Sequence, residues 1–431
     1  MPMNRRTFLK STAGAVLVAG TLAQGKIWGA NERIRMCVIG VNGRGNDHIA
    51  EWLKQPDAEV VAVCDADEKI LERVAGAVER KAGKKIKRYV DMREAFQDSD
   101  IDAVSIATPN HWHTLAAVWA VQAGKDVYVE KPACHEIWEG RQLVALAEKY
   151  DRIIQHGTQN RSNAEWMRDV QLLQSGEIIG PIYMARGLCY KNGNRGSLGI
   201  KPDEEPPAHL HWRLWQGPAT DRPYNPNYHP YNWHWFWHYG NGEIGNQGVH
   251  QMDVCTWVMN KGLPVRVYST GGRYTYKDQG ETPNTNVATF TYADGTMTVF
   301  EVRNRWTNDE SGVRVGNLFY GDGGYYVEDK GFFDTKDKPI PVDNKKYPLP
   351  ETRGPFGNFL DAVKSRKKTD IHGNMLDAHV ACAHCHLANI SYRLGRSLEF
   401  DPAKESFVNA PDADALLKRE YAPGFEVPQI A

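Results

Sequence analysis

Three polar side chains in the middle of the chain have a spacing that could support proton transfer. Asn246, His250 and Asp253 occur in the stretch GNQGVHQMD at residues 245–253. If this stretch opens a helix, the three side chains lie at positions i, i+4 and i+7, on one helical face. An imidazole has a pKa near neutrality and can accept a hydroxyl proton at physiological pH. The spacing therefore makes His250 a candidate general base.

A glycine-rich turn near the start of the chain has the features of a phosphate-binding loop. A short apolar run ends in residues 40–45 (GVNGRG), and apolar residues at helical spacing follow. Such a turn brings backbone N–H groups close to a pyrophosphate. Asp65 closes the next predicted strand, 20 residues after Gly45, where a carboxylate can hold ribose hydroxyls. Although Asn42 replaces the usual middle glycine and Gly43 is displaced by one position, the pattern predicts dinucleotide binding.

The acidic residue also indicates which dinucleotide is bound. A carboxylate at Asp65 would repel the 2′-phosphate of NADP, so the sequence favours NAD. Arg44 lies in the same turn and could accommodate a phosphate, which keeps NADP open as the alternative.

Alternating strands and helices position these groups. The sequence predicts strands over residues 101–107, 126–129 and 152–155 and a helix from Thr114 to Gly124, which indicates a parallel sheet covered by helices on both faces. The segments TPNHWH (108–113) and EKP (130–132) follow two of these strands. Ligands bind beyond the carboxyl ends of such strands, so both segments are candidates for the site.

The second half of the chain has longer strands of alternating polarity. Residues 265–269, 286–292 and 296–302 are predicted strands, and Ala293-Asp294-Gly295 between the last two is a hairpin signal. The glycines of residues 321–324 predict another turn between strands.

The glycine turn, Asp65, the segments 108–113 and 130–132 and the stretch 248–253 together resemble the Gfo/Idh/MocA oxidoreductases. The resemblance implies an α/β N-terminal Rossmann domain followed by an α+β domain built on a large, open, mainly antiparallel sheet. We expect the NAD-binding domain at residues 31–156 and the substrate-binding domain at residues 157–431, with C-terminal helices able to pack back on the first domain.

The same resemblance implies roles for particular residues. Lys131 would orient and polarise a substrate hydroxyl, and His250 would act as general base. Asn246 stands where the family has an aspartate, so His250 should be a weaker base than in the acidic version. Asp253 could compensate, or it could cap or pack a helix. The expected cofactor-binding residues are Gly40, Asn42, Gly43, Arg44, Gly45, Asp65, Thr108, Pro109, Asn110, His113, Glu130, Lys131 and Gln159.

Aromatic residues are concentrated in one segment before the stretch that contains His250. From His209 to Tyr239, 15 of 31 residues are His, Trp, Tyr or Phe. Flat rings suit the C–H face of a sugar, so the cluster predicts a carbohydrate site, with a loop-packing core or a subunit contact as the alternative. The candidate substrate residues are Arg161, Trp235, Tyr239 and Asp253.

A haem-attachment pattern occurs near the C-terminus. Cys382-Ala383-His384-Cys385-His386 matches C-x-x-C-H, but apolar residues at near-helical spacing from Asn374 to Leu394 predict a continuous packed helix. We therefore expect neither haem nor a metal site here; a metal site formed by these thiols and His379 is the minor alternative.

Composition and the N-terminus restrict the class of protein. The 52 basic and 53 acidic side chains argue against a nucleic-acid binder, and seven cysteines are too few for a disulfide scaffold. Arg5 and Arg6 precede a short apolar run, which resembles a twin-arginine export signal over residues 1–30. The sequence thus predicts a periplasmic protein with no stable membrane anchor once the signal is removed.

These features predict an NAD-dependent oxidoreductase that acts on a CH–OH group of a sugar, polyol or glycoside. Because a periplasm with little free NAD requires the cofactor to be retained, we expect tight binding. The alternative is a redox-neutral glycoside hydrolase or lyase that acts through a transient keto-sugar, and a third possibility is a sugar-binding protein that keeps NAD for stability. The outer face of the antiparallel sheet is a candidate surface for a homo-oligomer.

Overall fold

The first part of the chain alternates strands and helices. The structure is a computed structural model that describes residues 32–191, 193 and 196–431; the predicted export signal lies outside them. The strands are β1 (Ile34–Ile39), β2 (Ala58–Cys64), β3 (Lys87–Tyr89), β4 (Ala103–Ile106), β5 (Asp126–Val129) and β6 (Ile154–His156). The helices are α1 (Arg44–Trp52), α2 (Glu68–Ala82), α3 (Met92–Gln97), α4 (Asn110–Gln122) and α5 (Ile137–Lys149).

The six strands form one parallel sheet in the order β3-β2-β1-β4-β5-β6. Strands β4 and β5 are buried at every position, as expected where helices cover both faces. The strand order reverses between β1 and β4, and this switch opens a crevice at the carboxyl ends of the strands. The predicted Rossmann architecture is confirmed.

The second part of the chain contains the larger sheet and the remaining helices. Its strands are β7 (Ile182–Cys189), β8 (Arg266–Gly272), β9 (Thr285–Thr291), β10 (Met297–Arg303), β11 (Val315–Gly321), β12 (Gly324–Val327), β13 (Gly331–Asp334), β14 (Pro339–Ile340), β15 (Leu398–Asp401) and β16 (Ser406–Phe407). The helices are α6 (Ala164–Ser175), α7 (Trp212–Gln216), α8 (Gly242–Asn246), α9 (Gly248–Met259), α10 (Gly354–Ser365), α11 (Met375–Leu394) and α12 (Pro411–Asp414). Single 3₁₀ turns occur at Gln159–Ser162, Asn232–Trp235 and Lys368–Asp370.

The ten strands pair in the order β14-β13-β12-β11-β7-β10-β9-β8-β15-β16. Only β7 and β10 pair in parallel, so the sheet is mainly antiparallel, as predicted. Along β9 the buried residues Asn286, Ala288 and Phe290 alternate with partly exposed ones, because α9 and α11 cover one face of the sheet. The predicted hairpin at Asp294-Gly295 joins β9 to β10.

Helix α10 returns from the second part of the chain to the first sheet. It buries Phe356 and Phe359 against Trp52 of α1 and Tyr128 of β5, with the rings of Tyr128 and Phe356 stacked at 4.9 Å. The second part of the chain is therefore attached to the first sheet by an apolar contact as well as by the chain connection. Among the described residues, no helix has both the length and the apolar content to cross a bilayer.

The α10 contact leads to a prediction about stability. Phe359 is fully buried beside Trp52 and Tyr128, so Phe359→Ala should lower the free energy of unfolding by about 3–5 kcal/mol. Chemical denaturation followed by circular dichroism measures this change. Leu376→Ala is the control, because Leu376 is 59% exposed and should tolerate truncation. Equal unfolding midpoints for the two variants would contradict the prediction.

Candidate active site

The glycine turn allows α1 to approach the strand ends closely. Gly40 has a φ of +79°, and a Cβ there would lie 2.8 Å from the carbonyl oxygen of Ala107. A Cβ on Gly45 would overlap the carbonyl oxygen of Gly40. A Cβ on Gly43 would meet no atom within 4 Å, so that position faces open space. The turn thus leaves room for a pyrophosphate at the N-terminus of α1, where backbone N–H groups favour an anion.

Asp65 is held at the end of β2 by two backbone hydrogen bonds. Its carboxylate accepts one from the N–H of Val41 at 2.9 Å and one from the N–H of Asp67 at 3.0 Å. Burial raises the pKa of Asp65 to about 6 even though these bonds favour the charged form. The carboxylate is therefore fixed beside the glycine turn, where it can accept hydrogen bonds from ribose hydroxyls and would repel a phosphate.

Arg44 contacts acidic side chains on the far side of the turn from the ribose position. Its Nε lies 2.8 Å from Oε1 of Glu130, and its Nη1 lies 3.3 Å from Oδ2 of Asp47. His48 contacts the same Glu130 oxygen at 2.9 Å. Burial alone would raise the pKa of Glu130, but His48 and the positive charges of Arg44 and Lys131 hold it well below its usual range. With its guanidinium bonded to Glu130 and Asp47, Arg44 gives no support to the NADP alternative.

The segment after β4 differs in one respect from the prediction. Helix α4 begins at Asn110, four residues before the predicted start at Thr114. The ring nitrogens of His113 lie 2.6 Å from the carbonyl oxygen of Pro132 and 2.8 Å from that of Thr108, so His113 ties the two strand-end segments together. Asn110 donates a hydrogen bond to Asn241 at 3.1 Å and thereby contacts the second domain.

These elements enclose a cavity of about 310 Å³ between the two domains. Its wall contains most of the predicted cofactor residues and two of the three predicted catalytic residues, Lys131 and Asn246: Gly40, Asn42, Gly43, Arg44, Asp65, Thr108, Pro109, Asn110, His113, Glu130, Lys131 and Asn246. Gly45 lies behind the turn, and Gln159 reaches the site only through a 3.4 Å hydrogen bond to Glu130. The wall continues along residues that fit the adenosine half of a dinucleotide and were not predicted, namely Ala66, Ile70, Val90, Asp91 and Met92.

Lys131 and Asn246 meet at the opposite end of this cavity from Asp65. The ammonium of Lys131 donates to the carbonyl oxygen of Asn246 at 2.6 Å and lies 3.4 Å from its side-chain oxygen. Burial lowers the pKa of Lys131, and the nearby cations Lys191 and Arg44 add to the effect against the opposing charges of Glu130 and Glu243.

The predicted single helix through Asn246, His250 and Asp253 is wrong. Asn246 ends α8, and α9 starts afresh at Gly248, so the amide faces Lys131 rather than His250. His250 is partly buried, does not line the cavity, and its imidazole makes no hydrogen bond within the part of the chain that the structure describes. Burial, together with the positive charge of Lys131, lowers the pKa of His250 to about 3.

Two of the candidate substrate residues are paired with each other. Arg161 is buried, and its Nε donates to both carboxylate oxygens of Asp253 at 2.8 and 3.0 Å. Its Nη1 lies 2.6 Å from a carboxylate oxygen of Asp377 on α11. Neither Arg161 nor Asp253 lines the cavity, and Arg161 is instead bound between two carboxylates inside the protein. Asp253 thus takes the packing role that was the alternative for it.

The aromatic segment, residues 209–239, packs mainly on itself. Trp212 and Trp215 stack at 4.8 Å, and the hydroxyl of Tyr239 donates to Gln216 at 3.0 Å. Tyr239 and Trp235 are both buried and neither lines the cavity, so the structure does not place these two candidate substrate residues at the site. Other residues of the segment do line it and were not among the candidate substrate residues: Leu214, Trp215, His229, Pro230, Tyr231, Trp233 and His234.

The C-x-x-C-H pattern lies within the predicted continuous helix. Cys382, His384, Cys385 and His386 are all buried in α11, and His386 contacts the carbonyl oxygen of Cys134 at 3.2 Å. No group of three or more His, Cys, Asp or Glu side chains within the described residues has the arrangement of a metal site.

The first parallel sheet has a strand-order switch, and its crevice carries a glycine turn and the carboxylate of Asp65. These features define a Rossmann domain of the NAD-binding kind, joined to a second, mixed-sheet domain. The family model for the NAD-binding Rossmann fold of the Gfo/Idh/MocA oxidoreductases matches residues 34–158, and the model for the C-terminal α/β domain of that family matches residues 171–427. The chain belongs to this oxidoreductase family.

Curated relatives match over part of their length. A glycosyl hydrolase family 109 protein of Saccharopolyspora erythraea is 30% identical over 213 residues, which is 43% of this chain and 45% of the relative. One of the same name from Shewanella pealeana is 29% identical over 172 residues, 35% of this chain and 38% of the relative. The chain thus matches less than half of the length of these relatives.

Solved structures share the fold over most of the chain. The WlbA dehydrogenase of Bordetella pertussis, in complex with NADH and UDP-GlcNAcA, has a TM-score of 0.64 at 19% identity and covers 86% of this chain and 98% of its own. The scyllo-inositol dehydrogenase of Lactobacillus casei has a TM-score of 0.58 at 18% identity, with coverages of 86% and 98%.

The position and pKa of Asp65 lead to a prediction about cofactor affinity. If ribose hydroxyls donate to the carboxylate, NAD stabilises its charged form, so affinity is full above the raised pKa of about 6 and falls as the pH drops through it. Asp65→Asn should weaken NAD binding by about 1.5–3 kcal/mol at neutral pH and remove this pH dependence. Calorimetric titration across this pH range measures both effects. An Asn variant with wild-type affinity would contradict the ribose assignment.

Proposed function

We propose that the protein transfers a hydride between tightly bound NAD and a CH–OH group of a sugar, polyol or glycoside. The observation that carries the proposal is the ammonium of Lys131 in the wall of the cofactor cavity, at the carboxyl end of β5 and 2.6 Å from the carbonyl oxygen of Asn246. An ammonium in this position can donate to a substrate hydroxyl. The UDP-GlcNAcA bound to the WlbA dehydrogenase and the name of the scyllo-inositol dehydrogenase support a substrate rich in hydroxyl groups.

The residues around Lys131 would control the proton of that hydroxyl. When bound, NAD accepts a hydride from the carbon that bears the hydroxyl group. Lys131 would orient and polarise the oxygen, and its lowered pKa reduces the cost of exchanging a proton with the substrate. His250 would accept the hydroxyl proton as general base, and its pKa of about 3 makes it a weak one, so the scheme relies mainly on Lys131. Asn246 positions Lys131 rather than His250 in this scheme.

The names of the curated relatives support one alternative. Two relatives are named glycosyl hydrolase family 109 proteins. A hydrolase that uses NAD would oxidise the sugar transiently to a ketone, eliminate the glycosidic leaving group next to the acidified C–H, add water to the resulting unsaturated ketone, and then return the hydride. In a third scheme the protein binds a sugar and keeps NAD only for stability.

An experiment on the protein as purified with NAD separates these schemes. Sugars, polyols and aryl glycosides are added in turn while the absorbance of reduced nicotinamide and the release of aglycone are recorded. We expect a substrate to raise the absorbance of reduced nicotinamide lastingly, and a second carbonyl compound to reverse that rise by reoxidising the cofactor. Aglycone release without net reduction would favour the hydrolase, and neither signal with any substrate would favour the binding protein.

Replacement of Lys131 tests the residue on which the proposal depends. Lys131→Met should lower turnover by about 10²–10⁴-fold while NAD stays bound, because the ammonium contacts the substrate oxygen. Lys125→Met is a matched control: Lys125 precedes the same strand, and its ammonium is bonded to the carbonyl oxygens of Asp98 and Ile101 at the opposite edge of the sheet. Unchanged turnover in Lys131→Met would refute the assignment.

The lowered pKa of His250 predicts an unusual pH profile. A histidine with its ordinary pKa of 6.5 loses base activity as the pH falls through that value, whereas His250, with a pKa of about 3, stays neutral. Turnover should therefore show no acid limb from His250 between about pH 8 and pH 5, and His250→Asn should lower it at every pH in this range. A limb near neutral pH that His250→Asn removes would contradict this prediction.

We also propose export by the twin-arginine route to the periplasm. Arg5 and Arg6 ahead of a short apolar run support this proposal. Cell fractionation of the Arg5→Lys, Arg6→Lys double variant tests it, and we expect the variant to accumulate in the cytoplasm.

For assembly we propose a homo-oligomer formed through the open face of the second sheet, where Tyr268 is 42% exposed. Light scattering of the wild type and of Tyr268→Glu tests that contact.

A further inference from the structure

The cavity has an outer wall that the Rossmann fold does not supply. One side is built from the glycine turn and the strand ends, and the facing side from residues of the aromatic segment, including Trp215, His229, Tyr231 and Trp233. We infer that the aromatic segment, residues 209–239, is the second half of the NAD site and must move away from the first domain for the cofactor to leave. The inference rests on NAD binding and holds for any reaction at the site.

The aromatic segment is fastened next to the ribose-binding carboxylate. Leu210 and Asp67 form an isolated antiparallel bridge, two residues after Asp65. The N–H of His211 donates to the carbonyl oxygen of Ala66 at 2.9 Å, and the N–H of Glu68 donates to that of His209 at 2.9 Å. These backbone bonds join the segment to the connection between β2 and α2.

Side chains strengthen the same junction. Nδ1 of His209 lies 3.0 Å from Oδ1 of Asp67, and Nε2 of His229 lies 3.7 Å from Oδ2. Asp67 is 3% exposed and also caps α2 by accepting from the N–H groups of Lys69 and Ile70. One buried carboxylate thus connects the adenosine side of the Rossmann fold to two separate points of the aromatic segment.

A second junction fastens the aromatic segment at the strand end of β4. The indole N–H of Trp112 donates to the carbonyl oxygens of Leu214 and Trp215 at 3.1 and 3.0 Å, and His111 contacts the oxygen of Trp215 at 3.0 Å. A Cβ on Gly217 would overlap the Trp112 ring, so the approach is close. The cavity therefore lies between two junctions rather than beneath a single hinge.

The aromatic segment is a rigid wall because it has its own core. Trp215, Tyr224, Trp233, Phe236 and Tyr239 are buried against one another in a cluster distinct from the main core. Its cavity side presents rings, which suit the flat faces of adenine. His229 is the wall residue that contacts Asp67, so His229 and its lining neighbours Pro230 and Tyr231 are assigned to the adenosine half. NAD can then leave only when the hydrogen bonds of both junctions break or when the whole aromatic segment moves away from the first domain.

The test compares NADH release in the wild type and in Asp67→Ser. Serine keeps the helix cap but removes the carboxylate that His209 and His229 contact. Release is followed as the loss of energy transfer from tryptophan to NADH after mixing with excess NAD, and a rise of at least about tenfold in the dissociation rate is expected, equivalent to about 1.4 kcal/mol. Glu72→Gln, one turn further along α2, is the matched control, since its carboxylate contacts Arg88 instead.

Hydrogen exchange of peptides from residues 209–239 supplies a readout that is independent of release. NAD should slow their exchange in the wild type and less so in Asp67→Ser. His209→Ala serves if Asp67→Ser does not fold, because His209 caps no helix. Unchanged exchange on NAD binding, with equal release rates in wild type and variants, would overturn the inference while leaving NAD binding intact. Absence of any NADH signal in the wild type would instead count against NAD binding itself.

Discussion

The buried carboxylate of Glu130 is the interaction on which the rest of the site depends. It lies at the end of β5 and contacts Arg44 from the glycine turn, His48 from α1 and Gln159 from the start of the second domain. It also accepts a hydrogen bond from the N–H of Lys131 at 3.1 Å. A buried charge without partners would cost several kcal/mol, so these groups are held together around it.

The packing around Glu130 explains why the turn and the chemistry are joined. A Cβ on Gly157 would lie 3.1 Å from Oε1 of Glu130, so the chain leaving β6 passes directly over the carboxylate. Any change that moves Glu130 therefore moves the N-terminus of α1 and the backbone of Lys131 at the same time. The glycine turn and the ammonium of Lys131 therefore share one support.

Much of the fold was predictable because local patterns agree with it. Apolar runs gave the strands of the first sheet, and the alternation around Asp294-Gly295 gave the hairpin between β9 and β10. The break between Asn246 and Gly248 was not predictable from spacing, since the polar residues keep a helical period across it. At the break, the carbonyl oxygen of Asn246 accepts a hydrogen bond from Lys131, which is 115 positions away in the chain. Arg161 and Asp253 are 92 positions apart in the chain. Local sequence patterns therefore could not have predicted that they form an ion pair.

The amino-acid composition of the aromatic segment predicts a binding site there but does not identify the ligand. Fifteen rings in 31 residues predict a surface that binds flat or apolar-faced molecules, and a sugar and an adenine both satisfy that description. What separates the two is position. The segment is bonded to Ala66 and Glu68, beside the carboxylate that suits a ribose, whereas Lys131 lies at the other end of the cavity.

The surroundings of Lys131 then limit where a substrate can bind. Its ammonium is set among the carboxylates of Glu130 and Glu243 and the cations Arg44 and Lys191, and burial is the largest influence on its pKa, which lies below the ordinary 10.5. A hydroxylated substrate brings polar groups without a net charge, so it can replace the carbonyl of Asn246 as the partner of the ammonium without disturbing this balance. The hydroxyl of the proposed substrate would therefore take the place beside the ammonium that the Asn246 carbonyl oxygen occupies at 2.6 Å.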